Sequence, residues 1–302
     1  MKKNKYEIDM CNGTIMDKLI SFAFPLMVSG ILQLMFNAVD IVVVGRFSGS
    51  QALAAVGSTT ALINVFTNLF IGISLGANVL AARFYAAGKK KEMSETVHTA
   101  ITLALTSGVV MAIVGFLFSR WGLELMGTPS DVIDQSSLYM RIYFLGMPFF
   151  MLYNYGAAIL RAVGDTKRPL IFLIIAGVIN AILNMFLVIA FHLGVAGVAI
   201  ATVISQLVSC ILVLRCLCNT DSSYQLRFSR LCIKKFYLVQ IFQVGIPAGV
   251  QSTVINFSNA MLQSSVNSFG STAMAGYTAA NNVLGFLYAA VNAVTQACMS
   301  FT

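Results

Sequence analysis

The sequence predicts an all-α integral membrane protein, a polytopic helical bundle, and three observations predict it. Of its 302 residues, 58% are apolar and only 10% charged, with a mean hydropathy of +0.83. A soluble globular protein carries roughly 25% charged residues, so this chain cannot cover a water-facing surface. Eight stretches are apolar over the about 20 residues that a helix needs to cross a bilayer. The charges lie between those stretches and are shared unequally between the two sides. An ordinary soluble enzyme, a disordered tail and a secreted disulfide scaffold are excluded on the same grounds.

In chain order the spans are 19–44, 53–82, 97–119, 137–160, 169–191, 195–214, 238–267 and 274–302. Met1-Lys2-Lys3-Asn4-Lys5 resembles the start of a signal peptide. Glu7, Asp9 and Asp17 follow it, however, and the apolar run is too long for a signal core and has no small-residue cleavage site. The run is therefore expected to remain as the first span, and Lys2 excludes N-myristoylation. Several spans exceed the minimum length, which allows tilt or kinks. Between the fourth and fifth, Gly164-Asp165 reads as a turn and Pro169 as a helix opener. His98 and His192 fall near span ends, where an interfacial position explains them. The six cysteines form no CxxC pair and no zinc spacing, so they read as inert thiols.

The connections carry the basic residues. One side receives Lys2, Lys3, Lys5 and Lys18; Arg83, Lys89, Lys90 and Lys91; Arg161, Lys167 and Arg168; and Arg215, Arg227, Arg230, Lys234 and Lys235. Of the nineteen Lys and Arg residues, the other side receives only Arg46, Arg120 and Arg141. This asymmetry predicts a cytoplasmic N-terminus in a multi-pass protein of the cell (inner) membrane. The net charge of +8 is thus a topology signal. Nucleic acid is not an expected partner, because the bases are scattered over separate loops. The Lys89-Lys90-Lys91 run reads as a topology determinant rather than a lipid site.

The seventh span resembles the first. Pro25 and Pro247 lie 222 residues apart, and Asn37-Ala38 recurs as Asn259-Ala260 at the same offset. The connection Gly49-Ser50-Gln51-Ala52-Leu53-Ala54 recurs as Gly270-Ser271-Thr272-Ala273-Met274-Ala275. Six spans separate the copies, so they would be parallel repeats about an axis along the membrane normal. The expected division is a six-helix N-terminal lobe at 1–217, a cytoplasmic linker at 218–236, and the first two helices of a second lobe at 237–302. On that division the chain is a piece of a twelve-span protein of roughly 440–450 residues.

Ten of the eleven acids lie in loops or at span ends; Asp40 alone sits inside an apolar run, Ala38-Val39-Asp40-Ile41-Val42-Val43-Val44. An ionised carboxylate there costs several kcal/mol unless it is hydrated, paired or protonated, which makes it a functional candidate by default. It lies roughly 7 Å of helix rise before Gly45-Arg46. Ser29, Gln33, Asn37 and Asp40 share one helix face. The fifth span offers Asn180 and Asn184, the sixth Thr202 and Gln206, and the seventh a second stripe of Ser252, Asn256, Asn259 and Gln263. Such groups avoid lipid and turn inward, either as helix–helix glue or as a site. A carboxyl that gains and loses a proton can carry it from one side to the other; beside Asn oxygens it can instead ligate sodium, a hard cation. Pro25 removes a helix hydrogen bond and provides either a static kink or a hinge. No Walker A, GxSxG, HExxH or strand-borne GxGxxG motif suggests an enzyme.

These residues resemble the multidrug and toxic compound extrusion (MATE) family over essentially the whole chain. The resemblance rests on Pro25, Asn37-Ala38-Val39-Asp40 and Gly49–Ala54. It rests further on Leu160-Arg161-Ala162-Val163-Gly164-Asp165-Thr166-Lys167-Arg168-Pro169, Asn180-Ala181-Ile182-Leu183-Asn184 and the segment from Gly194 to Thr202. It implies two pseudo-symmetric six-helix lobes around a cavity and export of amphipathic organic cations in exchange for inward H+ or Na+, with no cofactor. Asp40 matches the ion-coupling acid, Asn180 and Thr202 match its polar neighbours, and Pro25 matches the bend; Asn37 and Asn184 complete the expected ion-coupling set. Gln33, Tyr139 and Asn154 fall where the family lines the first-lobe cavity, with Asn256 and Asn259 as second-lobe counterparts. Sodium, if used, would sit on Asp40 and Asn180. Where many members carry a second acid this chain has Asn184, which favours the proton. Leu262 stands opposite Asp40 in the second copy and confines coupling to the first. A monomer is expected. The alternatives are a flippase for lipid-linked precursors, which should show a basic cavity, and a receptor or scaffold that transports nothing. A central Lys or Arg is expected in no span, Arg141 being placed near an end.

Overall fold

Nine α-helices cross or re-enter the bundle in the computed structural model, which describes residues 8, 14–128, 130, 132–267 and 271–301, without side chains at 50, 58, 61, 65, 259–261, 263–283, 286 and 301. They are α1 (Ile15–Phe47), α2 (Gly49–Ala86), α3 (Lys90–Leu125), α4 (Ile133–Leu145), α5 (Met147–Ala162), α6 (Lys167–Met185), α7 (Gly194–Cys218), α8 (Lys235–Asn267) and α9 (Ser271–Phe301). No strand occurs among the described residues. Among the described residues six helices are long and apolar enough to span a membrane, and the bent pair α4–α5, taken together, has the length and composition of a seventh. The chain is an all-α, multi-pass membrane protein. The apolar run at 274–302 lies in α9, much of whose side-chain detail falls outside the described residues.

Two expectations need correction. The span at 137–160 is not one helix: α4 and α5 meet at Gly146 with a bend of 48°. Pro148 supplies the reason, because it has no N–H to continue the ladder of α4 and is tolerated at the start of α5. The bend seats Gly146 against α7, where an added Cβ would lie 2.8 Å from Val203 and 2.9 Å from Gln206. The connection at Gly49–Ala54 is also helical. Only Ser48 separates α1 from α2, and Gly49 opens α2 at φ +86. Its proposed copy begins at Gly270, outside the described residues.

Packing follows the logic of helices in lipid, where small residues allow close approach because hydrocarbon gives no hydrophobic drive to associate. The main core joins α2, α3, α4, α5 and α7 through Ala77, Met93, Ala100, Phe144, Tyr155 and Val213. Gly115 receives the Phe144 ring, and Gly177 of α6 receives Phe36 of α1. α8 lies on α2 and α9 on α1. On the first of these seams, Gly72 and Gly76 face Gly245 and Gly249 so closely that a Cβ on Gly72 would lie 2.2 Å from the Gly249 Cα. Exposed Val110, Ile113, Leu117 and Ile182 give the outside of the bundle its apolar cover.

The turn before α6 explains its sequence. Gly164 takes φ +87, and the Asp165 amide donates back to Leu160 O at 2.9 Å, closing α5 with a left-handed cap. Asp165, fully buried, accepts from the Arg168 amide at 3.1 Å and pairs with the Arg168 guanidinium at 2.5 Å. This loop is therefore a built structural device, as its turn chemistry predicts.

The segment between α7 and α8 is tied to α3. His98, nearly fully buried, contacts Ser94 O through Nδ1 at 2.6 Å, and its Nε2 accepts the Arg227 amide at 3.1 Å. Because that amide needs an acceptor, the proton sits on Nδ1. The expectation of a merely interfacial His98 is thereby replaced by a buried bridge. His192 sits in the exposed turn between α6 and α7.

Candidate functional site

Asp40 lies in the second half of α1, on the face that meets α6. Asn184 Nδ2 donates to Asp40 Oδ1 and also to Asn180 Oδ1, the latter at 3.1 Å. Asn180 Nδ2 in turn donates to Thr202 Oγ1 at 3.4 Å, and Thr202 donates to Val198 O at 2.9 Å. Hydrogen bonds thus link α1, α6 and α7, with donation diverging from Asn184: one bond goes to the carboxylate on α1, and the other leads through Asn180 to Thr202 and the Val198 carbonyl on α7. Asn184 is fully buried and Asn180 nearly so. With both of its neighbours acting as acceptors, Asn184 must turn its NH2 toward them. Its Oδ1 is left buried with no hydrogen-bond partner.

The surroundings are apolar and aromatic. Val43, Val44, Val188, Val195 and Val198 form a cluster with Tyr139 next to the chain. Tyr139 and Tyr143, with rings 6.1 Å apart and nearly parallel, lie within electrostatic reach of Asp40. The other described acids sit at helix ends or in loops, so Asp40 is the only carboxylate at this position among the described residues.

The structure divides the polar stripe of α1. Gln33 and Asn37 line a cleft of about 420 Å³ between α1 and α9, together with Ser29, Asn292, Gln296 and Arg161. Asp40, one turn further on, faces the interior of the α1–α6–α7 group instead. Tyr139 is buried beside Asp40 rather than in that cleft. Asn154 donates to Phe150 O at 2.8 Å, and Asn256 to Ser252 O at 2.8 Å, each within its own helix. The Asn259 side chain lies outside those described. Pro25 is buried inside α1, which continues through it, and Ser29 donates to the Pro25 carbonyl at 2.8 Å.

Basic residues also sit differently from the sequence expectation. Arg141 is two turns inside α4, 5.4 Å over the Phe116 ring, because α4 begins at Ile133. Arg161, in the last turn of α5, reaches the cleft and donates to Gln296 Oε1 at 3.1 Å. Sequence reasoning missed Arg161, Tyr143 and Asn78. Asn78 Nδ2 donates to Ala158 O at 2.8 Å, and its Oδ1 accepts from Ser300 at 3.1 Å, joining α2, α5 and α9. It also missed the α2–α8 seam, although Gly72-x-x-x-Gly76 and Gly245-x-x-x-Gly249 carry a readable small-residue spacing.

Comparison with known proteins places this geometry in context. The chain is 34% identical over 275 residues to the "Probable multidrug resistance protein YoeA" of Bacillus subtilis (strain 168), covering 88% of this chain and 59% of that protein. It is 28% identical over 272 residues to the "Probable multidrug resistance protein YpnP" of the same organism, covering 90% and 60%. The chain therefore spans about 60% of the length of these curated relatives. A solved MOP superfamily transporter from Pyrococcus furiosus has the same fold, with a TM-score of 0.91 at 22% identity over 100% of this chain and 67% of that one. The MatE family profile matches residues 25–186, a segment that holds Pro25, Asp40, Asn180 and Asn184. With more than half of its length matched, the chain belongs to the MatE family.

Proposed function

We propose that this chain supplies the first lobe and the start of the second of a secondary antiporter that exports amphipathic organic cations in exchange for inward H+, with Asp40 as the coupling group. The observation that carries the reading is the buried, unpartnered Asn184 Oδ1 beside a membrane-embedded carboxylate. An ionised carboxylate only accepts; a protonated one must also donate. In the arrangement described, Asn184 serves the ionised form through Nδ2. On protonation its amide turns, Oδ1 accepts the Asp40 O–H, and the bond to Asn180 is surrendered. The change passes to Thr202 on α7 and loosens α1 from α6, so that α1 can bend at Pro25. Sodium is the alternative ion, using the same oxygens of Asp40 and Asn184 with Asn180; the lone carboxylate favours the proton. The protein would lie in the cell membrane with its N-terminus cytoplasmic and act as a monomer.

The two-lobe division draws support from packing. α1 lies on α9 and α2 on α8, as two copies about a twofold axis would. Asn78 and Ser300, which bond, are separated by the same 222 residues as Pro25 and Pro247. Residues 218–236 would then be the joint.

The test is dye efflux from vesicles holding the intact protein, with pH and sodium gradients imposed separately. Asp40→Asn should abolish gradient-driven efflux while insertion and thermal stability are kept; undiminished efflux rejects the role. A second reading, a flippase for lipid-linked anionic precursors, is favoured by Arg161 in a cleft without a described carboxylate. It predicts transfer of an anionic lipid across the vesicle membrane and no dye efflux.

A further inference from the structure

At the end of the bundle where α2 meets α3, the chain folds a groove of about 690 Å³ between the start of α3 and the segment leading into α8. Lys90 and Lys91 line it from α3, and Arg230 and Lys234 from the other wall. These pairs are about 140 residues apart in sequence. One carboxylate, Glu95, faces the groove, and it is occupied: Lys234 pairs with it, and the Tyr237 hydroxyl donates to it at 2.7 Å. His98 has both ring nitrogens engaged in joining the two walls. Glu92 is on the same helix but does not line the groove. Lys90, Lys91 and Arg230 have no ion-pair partner among the described residues, and all three are exposed.

The segment that carries Arg230 and Lys234 also carries large apolar side chains: Phe228, Ile233 and Phe236, close to those cations in the chain, are 60%, 43% and 64% exposed. Three exposed cations outside any ion pair among the described residues, with large exposed apolar side chains near Arg230 in the chain, match a molecule that is anionic at one end and hydrocarbon at the other. Position agrees, because the apolar body of α3 begins within two turns of Lys90. A soluble phosphate would explain the bases but leave the exposed Phe228, Ile233 and Phe236 unused.

In place of the expectation that the Lys89-Lys90-Lys91 run acts on topology alone, we propose that this groove is a docking site for the headgroup of an anionic phospholipid, held by Lys90, Lys91 and Arg230 with its acyl chains against Phe228, Ile233 and Phe236. A bound lipid would fasten the α7–α8 segment to α3 and so make the joint between the two halves sensitive to membrane composition. Each cation at such a surface contributes about a factor of five in affinity, so removal of two should weaken binding about 25-fold.

The experiment is native mass spectrometry of the intact protein in detergent, titrated with phosphatidylglycerol or phosphatidylcholine. Wild type is compared with Lys90→Gln/Arg230→Gln and with a control, Arg83→Gln/Lys167→Gln, which removes the same charge from exposed positions at the same end. Expected are the roughly 25-fold loss of phosphatidylglycerol affinity in the first variant only, restoration in Lys90→Arg/Arg230→Lys, and no effect on phosphatidylcholine. Thermal midpoints of the variants should match wild type, as exposed substitutions allow. The proposal is overturned if the first variant keeps its affinity within twofold, if the control loses as much, or if inorganic phosphate displaces the lipid.

Discussion

Gly76→Ala tests the seam between α2 and α8. The added Cβ would lie 2.2 Å from Ile241 O and 2.8 Å from the Gly245 N. Both neighbours are helix backbone, so relief requires moving one helix against the other rather than turning a side chain. Overpacking of this kind costs about 1–3 kcal/mol. Replacing glycine by alanine in a helix also contributes about 0.5–1 kcal/mol in the favourable direction. The same helix holds a control: Gly57 has nothing within 4 Å of its Cβ position, so Gly57→Ala should receive only the favourable part. Since the backbone contribution is common to both, the gap between the two variants isolates the packing at about 1–3 kcal/mol. Thermal unfolding of the purified protein in detergent reads it out. Gly57→Ala should be level with or above wild type, and Gly76→Ala below it. Were Gly76→Ala as stable as Gly57→Ala, the close approach of α2 and α8 would be refuted.

Asp165→Asn keeps a cap for the Arg168 amide but strips the charge from a buried pair. A loss of about 3–5 kcal/mol is expected, with part of it recovered in Asp165→Asn/Arg168→Gln; a double-mutant cycle in detergent measures it. His98→Phe keeps a ring but leaves the Arg227 amide without its acceptor, which should cost about 1–3 kcal/mol. Hydrogen exchange at Arg227 should quicken more than at the neighbouring helix ends.

Much of the fold was legible in the sequence because lipid imposes few solutions. Length and apolarity place the helices, since every backbone group must be satisfied within its own segment. The kink at Gly146 was written as Gly-Met-Pro inside an apolar run, but a composition window averages over one proline. Asp40 was legible because a lone acid in hydrocarbon has no bland explanation, and Asn180, Asn184 and Thr202 because amide and hydroxyl groups do not face lipid. Gln33 and Asn37 shared its stripe, yet they serve a different space. A helix face tells which residues point together, not which neighbour they meet when two helices, α6 and α9, flank it.

The sequence by itself determined the class of protein, the apolar spans, the family resemblance and the identity of the one membrane-embedded carboxyl. These are properties of local composition and period. Tertiary structure alone decided that Asn184 bridges Asp40 and Asn180 and leaves an oxygen unpaired. It also brought Arg161 to the cleft, set the Gly72–Gly76 run against Gly245–Gly249, and gathered Lys90 and Arg230 into one groove. Each of those facts depends on the distance between segments far apart in the chain, which is set by how whole helices pack and is carried by no single stretch of sequence.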